Sequence, residues 1–113
     1  MTETLSQKQR RFAKMVGEFL ETIHEEGYEV TFGDAYRDPK LHGEIGEKKG
    51  YGHAKSCHKL RLAIDLNLWK DGVYLTATEA YKEIGLVWER MGGTWGGRFE
   101  DGNHFSLEHQ GMK

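Results

Sequence analysis

The chain has 113 residues, a formal net charge of −2 and a pI near 6.3, a length that predicts one domain over residues 1–113 with a single site carrying the function. Charges of both signs are interspersed without a basic field, which argues against nucleic acid as a partner. One cysteine, Cys57, rules out an internal disulfide. The opening MTETLSQKQRRF lacks a signal peptide's apolar core, and no run approaches the roughly 20 apolar residues that span a bilayer. The expectation is a protein made in a reducing cytoplasm without stable membrane association.

In SQKQRRFAKMVGEFLETIHEEG, Phe12, Met15, Val16, Phe19, Leu20 and Ile23 recur at three- and four-residue spacings, which predicts an amphipathic helix. Ser6 with Gln9 offers a capping box and Gly27 a stop. YEVTFGDAYRD alternates and is rich in β-formers up to Pro39, so it reads as a strand entering a turn. PKLHGEIGEKKGYGHAKS is polar and glycine-rich, too long for a simple connection, and long loops in compact domains are often functional.

From Leu62 the alternation is strict: Leu62, Ile64, Leu66 and Leu68 fall on one strand face, and Ala63, Asp65 and Asn67 on the other. Asp71-Gly72 predicts a hairpin turn into a short strand. Thr76 or Thr78 is expected to cap a second helix whose buried stripe is Ala80, Ile84, Val87, Trp88 and Met91, ended by Gly92-Gly93. TWGGRFEDGNHFSLEH reads as an irregular approach to a strand from His104, with Phe105 and Leu107 toward the core. The class is α+β: a small, mainly antiparallel sheet with helices packed on one side.

On this geometry Asp65 and His104 both point to the non-core face, and His58 stands at the loop edge before the first of those strands. Two histidines and a carboxylate suffice for a catalytic zinc, which keeps a fourth position for water. Asp101, three residues before His104 across the DGN turn, is near enough to reach that water and take its proton. His58 and Asp65 alone would read as a surface histidine and a solvated strand aspartate, and DGNH is weak by itself. Cys57 reads as a buried small hydrophobe rather than a soft ligand. His53 reads as solvent-facing, and His109 is not counted as a ligand. Trp95, beside glycines, is a candidate wall of the substrate cleft, whereas Trp69 and Trp88 read as edge or core packing.

SCHKLRLAIDLNLW resembles the Ser-x-His-(x)6-Asp signature of the zinc D-alanyl-D-alanine and L-alanyl-D-glutamate peptidases, and WGGRFEDGNHF resembles their closing Trp-Gly-Gly…Asp-x-x-His-Phe motif. The resemblance spans roughly Thr31 to Leu107. It implies the LAS-type, hedgehog-like zinc peptidase fold, one zinc per chain held by His58, Asp65 and His104, and Asp101 as the base that later protonates the leaving amine. It also implies that Arg37 in DAYRD holds and polarises the scissile carbonyl; without it, Arg37 reads as a salt bridge to Asp34 or Asp38. Ser56 either hydrogen-bonds substrate or caps the loop. Family members often have glycine where this chain has Arg61, and many have glutamate at the base position.

The function this resemblance implies is hydrolysis of peptidoglycan stem peptides at the L-alanyl-D-glutamate bond, in a monomeric phage endolysin that reaches the cell wall, in the periplasm, through a holin. A D-alanyl-D-alanine carboxypeptidase with the same site is the alternative. A non-catalytic zinc or wall-binding module would need neither Asp101 nor Arg37, and a metal-dependent nuclease would need a basic groove.

Overall fold

A computed structural model describes residues 2–50 and 53–113. The first helix, α1 (Leu5–Glu25), buries Phe12, Met15, Phe19 and Ile23, with Val16 and Leu20 packed beside them, as the spacing predicts. Its cap lies two residues earlier than expected: Thr4 is the N-cap and forms the capping box with Gln7. Both Thr4–Gln7 and Ser6–Gln9 satisfy the same three-residue rule, and the longer helix gains two more residues of backbone bonding. Gln9 is instead turned inward, donating from Nε2 to the Leu60 carbonyl at 2.7 Å.

The strands β1 (Glu29–Phe32), β2 (Ala63–Lys70), β3 (Val73–Tyr74), β4 (Thr94–Trp95) and β5 (His104–Ser106) form one antiparallel sheet in the order β1-β2-β5-β4, with β3 also paired to β2. Leu66 and Leu68 of β2 are fully buried with Leu62 just before it, while Ile64 is partly buried against the same core. Asp71 and Gly72 both take positive φ (51° and 77°) between β2 and β3, the conformation that an Asp-Gly hairpin requires. Ladder pairing in β1 stops at Phe32, short of the predicted run to Pro39. The chain nevertheless stays tied to β2, since Gly33 N–H donates to Asp65 O and Asp65 N–H to Asp34 O, both at 2.8 Å.

The long polar connection contains a short helix, α2 (Pro39–His42), capped by Asp38. A second departure lies at the other helix. A 3₁₀ turn (Thr78–Tyr81) leads into α3 (Lys82–Arg90), and neither has a side-chain N-cap. The Thr78 hydroxyl is taken by a tertiary contact, accepting from Gly102 N–H at 3.2 Å, so it is unavailable to the helix. Ile84 and Trp88 are buried with Ala80, Val87 and Met91 packed alongside. Phe19 of α1 meets Trp88 of α3 and Phe105 of β5 at ring-centroid distances of 5.0 Å each. Helices and sheet therefore share one aromatic centre, and the architecture is α+β with a small antiparallel sheet.

Candidate metal centre

Asp65 and His104 are register partners on β2 and β5. Antiparallel pairing puts directly opposite side chains on the same face about 5 Å apart, so two strands suffice to bring these groups together. His58 arrives differently. It lies not on an extended edge but on a 3₁₀ turn, Cys57–Leu60, whose N-cap Ser56 accepts from His58 N–H at 3.2 Å. The turn throws Cys57 and His58 to opposite sides. Cys57 is fully buried, its thiol directed at the carbonyls of Leu107 and Met112, and burial pushes its pKa up to about 11. The hydrophobic reading of Cys57 holds.

Asp65 Oδ1 lies 3.2 Å from His58 Nε2 and 3.7 Å from His104 Nδ1. Bonds of about 2.0–2.1 Å at tetrahedral angles place zinc ligand atoms roughly 3.4 Å apart, so these separations match a metal's demands. His58 Nε2 and Asp65 Oδ1, which face each other, are buried with no hydrogen-bond partner, whereas the unpartnered nitrogen of His104 is Nε2 and not the Nδ1 that faces Asp65. Such orphans are costly unless a cation or water meets them. His58 Nδ1 is 3.0 Å from the Ala35 carbonyl. Because a carbonyl can only accept, Nδ1 carries the proton, and in the neutral ring Nε2 is left as a lone pair aimed at the cluster. Burial would raise the Asp65 carboxyl, but hydrogen bonds donated by the His104 and His58 imidazoles when those rings are protonated outweigh it and hold the pKa down at about 2; where the facing nitrogen is a lone pair, a cation would have to take the place of those protons. A carboxylate that stays ionised between two imidazoles is a fitting donor set for zinc.

Asp101 Oδ2 sits 3.9 Å from His104 Nδ1 on a side chain that is 52% exposed, so the carboxylate borders the cluster while remaining open to solvent. Gly96 makes that placement feasible. A Cβ there would lie 2.2 Å from Asp101 O and 2.6 Å from His104 Cβ, so only glycine lets the 3₁₀ turn Gly96–Phe99 close on the DGN turn. Arg37 is partly buried beside the cluster: Nε donates to Asp34 Oδ2 at 3.2 Å, Nη1 to Ser56 Oγ at 3.1 Å, and Nη2 lies 4.0 Å from Asp65 Oδ2. The Asp34 salt bridge that sequence spacing allows thus exists and orients the guanidinium toward the site. Ser56 caps the turn and holds Arg37 with the same oxygen.

A cleft of about 220 Å³ is lined by Arg37, His53, Lys55, Ser56, His58, Phe99, Asp101, His104 and Lys113. Trp95 is not among them, in contrast to its expected place on the cleft wall. It is 4% exposed, donates from Nε1 to Gly102 O at 2.8 Å, and would be struck by a Cβ on Gly85 or Gly97 at 2.2 Å. The glycines beside it admit the ring to the core rather than to a cleft, and Phe99 takes the wall. His53 is exposed at the rim, and His109 lies away from the cluster beside Lys8. Trp69 stacks on Tyr74 at 5.2 Å along the sheet edge and Trp88 is fully buried, both as packing residues. A larger apolar groove of about 480 Å³, between α1 and the start of β2, contains none of the cluster residues.

Sequence reading names Asp34 only as a salt-bridge partner of Arg37 and overlooks Lys59. Lys59, beside a proposed ligand, reads as an ordinary surface lysine, yet it is 6% exposed and its ammonium donates to the carbonyls of Glu44, Glu47 and Ala54 at 2.6–3.1 Å.

Arg61 has φ 58° and ψ 34°, the left-handed region that ends the 3₁₀ turn. Glycine adopts it without steric cost, which accounts for the glycine that the resembling sequences often carry there. Arg61 offsets part of the cost by stacking its guanidinium 3.9 Å from the Tyr36 ring centroid.

A search of curated proteins finds no match to the chain. A family described as D-alanyl-D-alanine carboxypeptidase matches residues 49–107, more than half of the chain, from the loop before Ser56 through β5. The match takes in all three clustered residues and Asp101, and leaves α1, β1 and Arg37 outside it. With that match, the chain belongs to the D-alanyl-D-alanine carboxypeptidase family.

Proposed function

We propose that the chain is a zinc-dependent peptidoglycan peptidase that hydrolyses the L-alanyl-D-glutamate bond of cell-wall stem peptides. The observation that carries this reading is the meeting, in one cleft, of His58 and His104 with the open carboxylate of Asp101 and the oriented guanidinium of Arg37. A merely structural metal would require neither of the last two.

In this reading His58, Asp65 and His104 hold one zinc per chain. Bound there, zinc supplies a water whose pKa falls to about 7 and a Lewis acid for the amide carbonyl. Asp101 accepts a proton from the attacking water and passes it to the departing amine, a role suited to a carboxylate that borders the cluster without being buried. Arg37, already fixed by Asp34 and Ser56, donates to the carbonyl oxygen as negative charge develops, and little reorganisation is needed at that moment. The hydroxyl hydrogen of Ser56 is left to donate to substrate, because its oxygen accepts from both Arg37 and His58 N–H.

The chain would act as a monomeric phage endolysin, reaching the wall after a holin has opened the inner membrane. No helix among the described residues is long and apolar enough to cross a membrane. The family's description favours a second reading, removal of a terminal D-alanine. Mass spectrometry of purified muropeptides after incubation separates the two. Cleavage after L-alanine is expected; loss of only the terminal D-alanine would replace the endopeptidase with the carboxypeptidase, and intact muropeptides with zinc bound would leave a binding module. Asp101→Ala serves as the control, retaining zinc while turnover drops at least about a hundredfold.

A further inference from the structure

The cleft at the cluster does not end there. A second cavity of about 370 Å³ shares Lys55, Phe99 and Lys113 with it and is otherwise walled by Gln110, Gly111 and Met112. These last residues form a tight terminal turn. His109 and Met112 exchange both backbone hydrogen bonds at 2.9 Å, while Gln110 and Gly111 take positive φ at 49° and 82°. The turn is fastened beside the cluster, since the Cys57 thiol, adjacent to His58, reaches Met112 O at 3.3 Å and the Lys8 ammonium donates to Glu108 O. All of it lies beyond residue 107, where the family match stops.

Charge distinguishes the junction of the two cavities. The chain is net negative, yet Lys55 and Lys113 line both cavities and Asp101 is the one acidic side chain among the described residues that line either. Neither lysine has an ion pair among the described residues, whereas the Arg37 guanidinium is already engaged by Asp34. Two ammonium groups without an ion pair at the junction of the two cavities attract an anion, and a carboxylate is the anion that a peptide carries.

We infer that the terminal turn builds the second half of the substrate groove, in which Lys55 and Lys113 hold a carboxylate of the peptide. The inference rests on the peptidase reading for the identity of the ligand, but its test does not depend on turnover. Zinc-loaded Asp101→Ala protein is titrated calorimetrically with the stem tripeptide L-alanyl-γ-D-glutamyl-L-lysine and with the same peptide amidated at its carboxylates. Lys55→Gln and Lys113→Gln are each expected to weaken binding of the acidic peptide about tenfold and to leave the amidated one unaffected, with Lys113→Arg retaining affinity. Unchanged affinity, an equal loss for both peptides, or no binding of either would overturn the assignment and return both residues to solvated surface lysines. Muropeptide cleavage by the unaltered protein is read separately. Cleavage with lysine-independent binding sinks the groove alone, and lysine-dependent binding without cleavage sinks the peptidase reading alone.

Discussion

The two loops that bring groups to the candidate metal centre are held in opposite ways. The described residues between Gly33 and Ser56 are tied by polar cross-links: Lys59 gathers the carbonyls of Glu44, Glu47 and Ala54, and Arg37 bridges Asp34 and Ser56. The stretch from Gly96 to Asn103 is held by shape, with Gly96 against Asp101 O and His104, Gly97 against Trp95 and Gly102 against Thr78. Where charges to carbonyls make the tie, loss of a single donor is the sensitive point. Where close approach makes it, there is no room for a methyl group. The same centre is thus exposed to two different kinds of damage.

The largest expected effect treats both sides alike. Alanine in place of His58 or of His104 should abolish stoichiometric zinc in the purified protein, as read by elemental analysis, because each would supply one of the three donors clustered there among the described residues. Full zinc occupancy in either variant would dismiss the ligand set.

Gly96→Ala comes next. Its methyl would enter 2.2 Å from Asp101 O, forcing the backbone apart, with an expected stability loss of about 1–3 kcal/mol and weaker zinc affinity through the displaced His104. Wild-type melting and zinc binding in this variant would refute shape as the tie on that side. Lys59→Met, of similar length, removes the ammonium from three carbonyls. The outcome expected is about 1–3 kcal/mol of lost stability, reduced because the freed carbonyls of an exposed loop can turn to water, together with faster proteolysis between residues 43 and 55 and unchanged zinc content. Zinc loss instead would show that this tie holds the metal centre itself and not only its loop.

The smallest effect is at Arg61. Arg61→Gly relieves a left-handed conformation but forfeits the Tyr36 stack and adds unfolded-state entropy. These offset one another, and denaturant midpoints should imply a change within about 1 kcal/mol in either direction.

Regular elements were legible where a local period decides them. The three- and four-residue stripe from Phe12 to Ile23 and the alternation from Leu62 to Leu68 both reappear as buried faces. Errors cluster where several local solutions satisfy the same rule and distant contacts choose among them. Thr4–Gln7 displaces Ser6–Gln9 as the capping box, and Thr78 bonds Gly102 rather than a helix end. At the candidate site, Asp65 and His104 were accessible through strand parity, since opposed positions on paired strands share a face. Trp95 was misplaced because glycine neighbours signal close approach without saying to what. Phe99 and Lys59 carry no local pattern that separates them from surface residues.

Residue types and periods along the chain were thus enough to determine the α+β class, the core stripes and a two-part motif bearing two histidines and two aspartates. Only the tertiary structure decided that β2 and β5 pair in the register that sets Asp65 opposite His104, that a 3₁₀ turn swings His58 to within 3.2 Å of the same oxygen, and that the terminal turn lies along the cleft. The reason is physical: periodicity acts over a few residues through backbone geometry, whereas a metal centre is a coincidence of side chains separated by up to 46 positions, from His58 to His104, and packing alone brings them together.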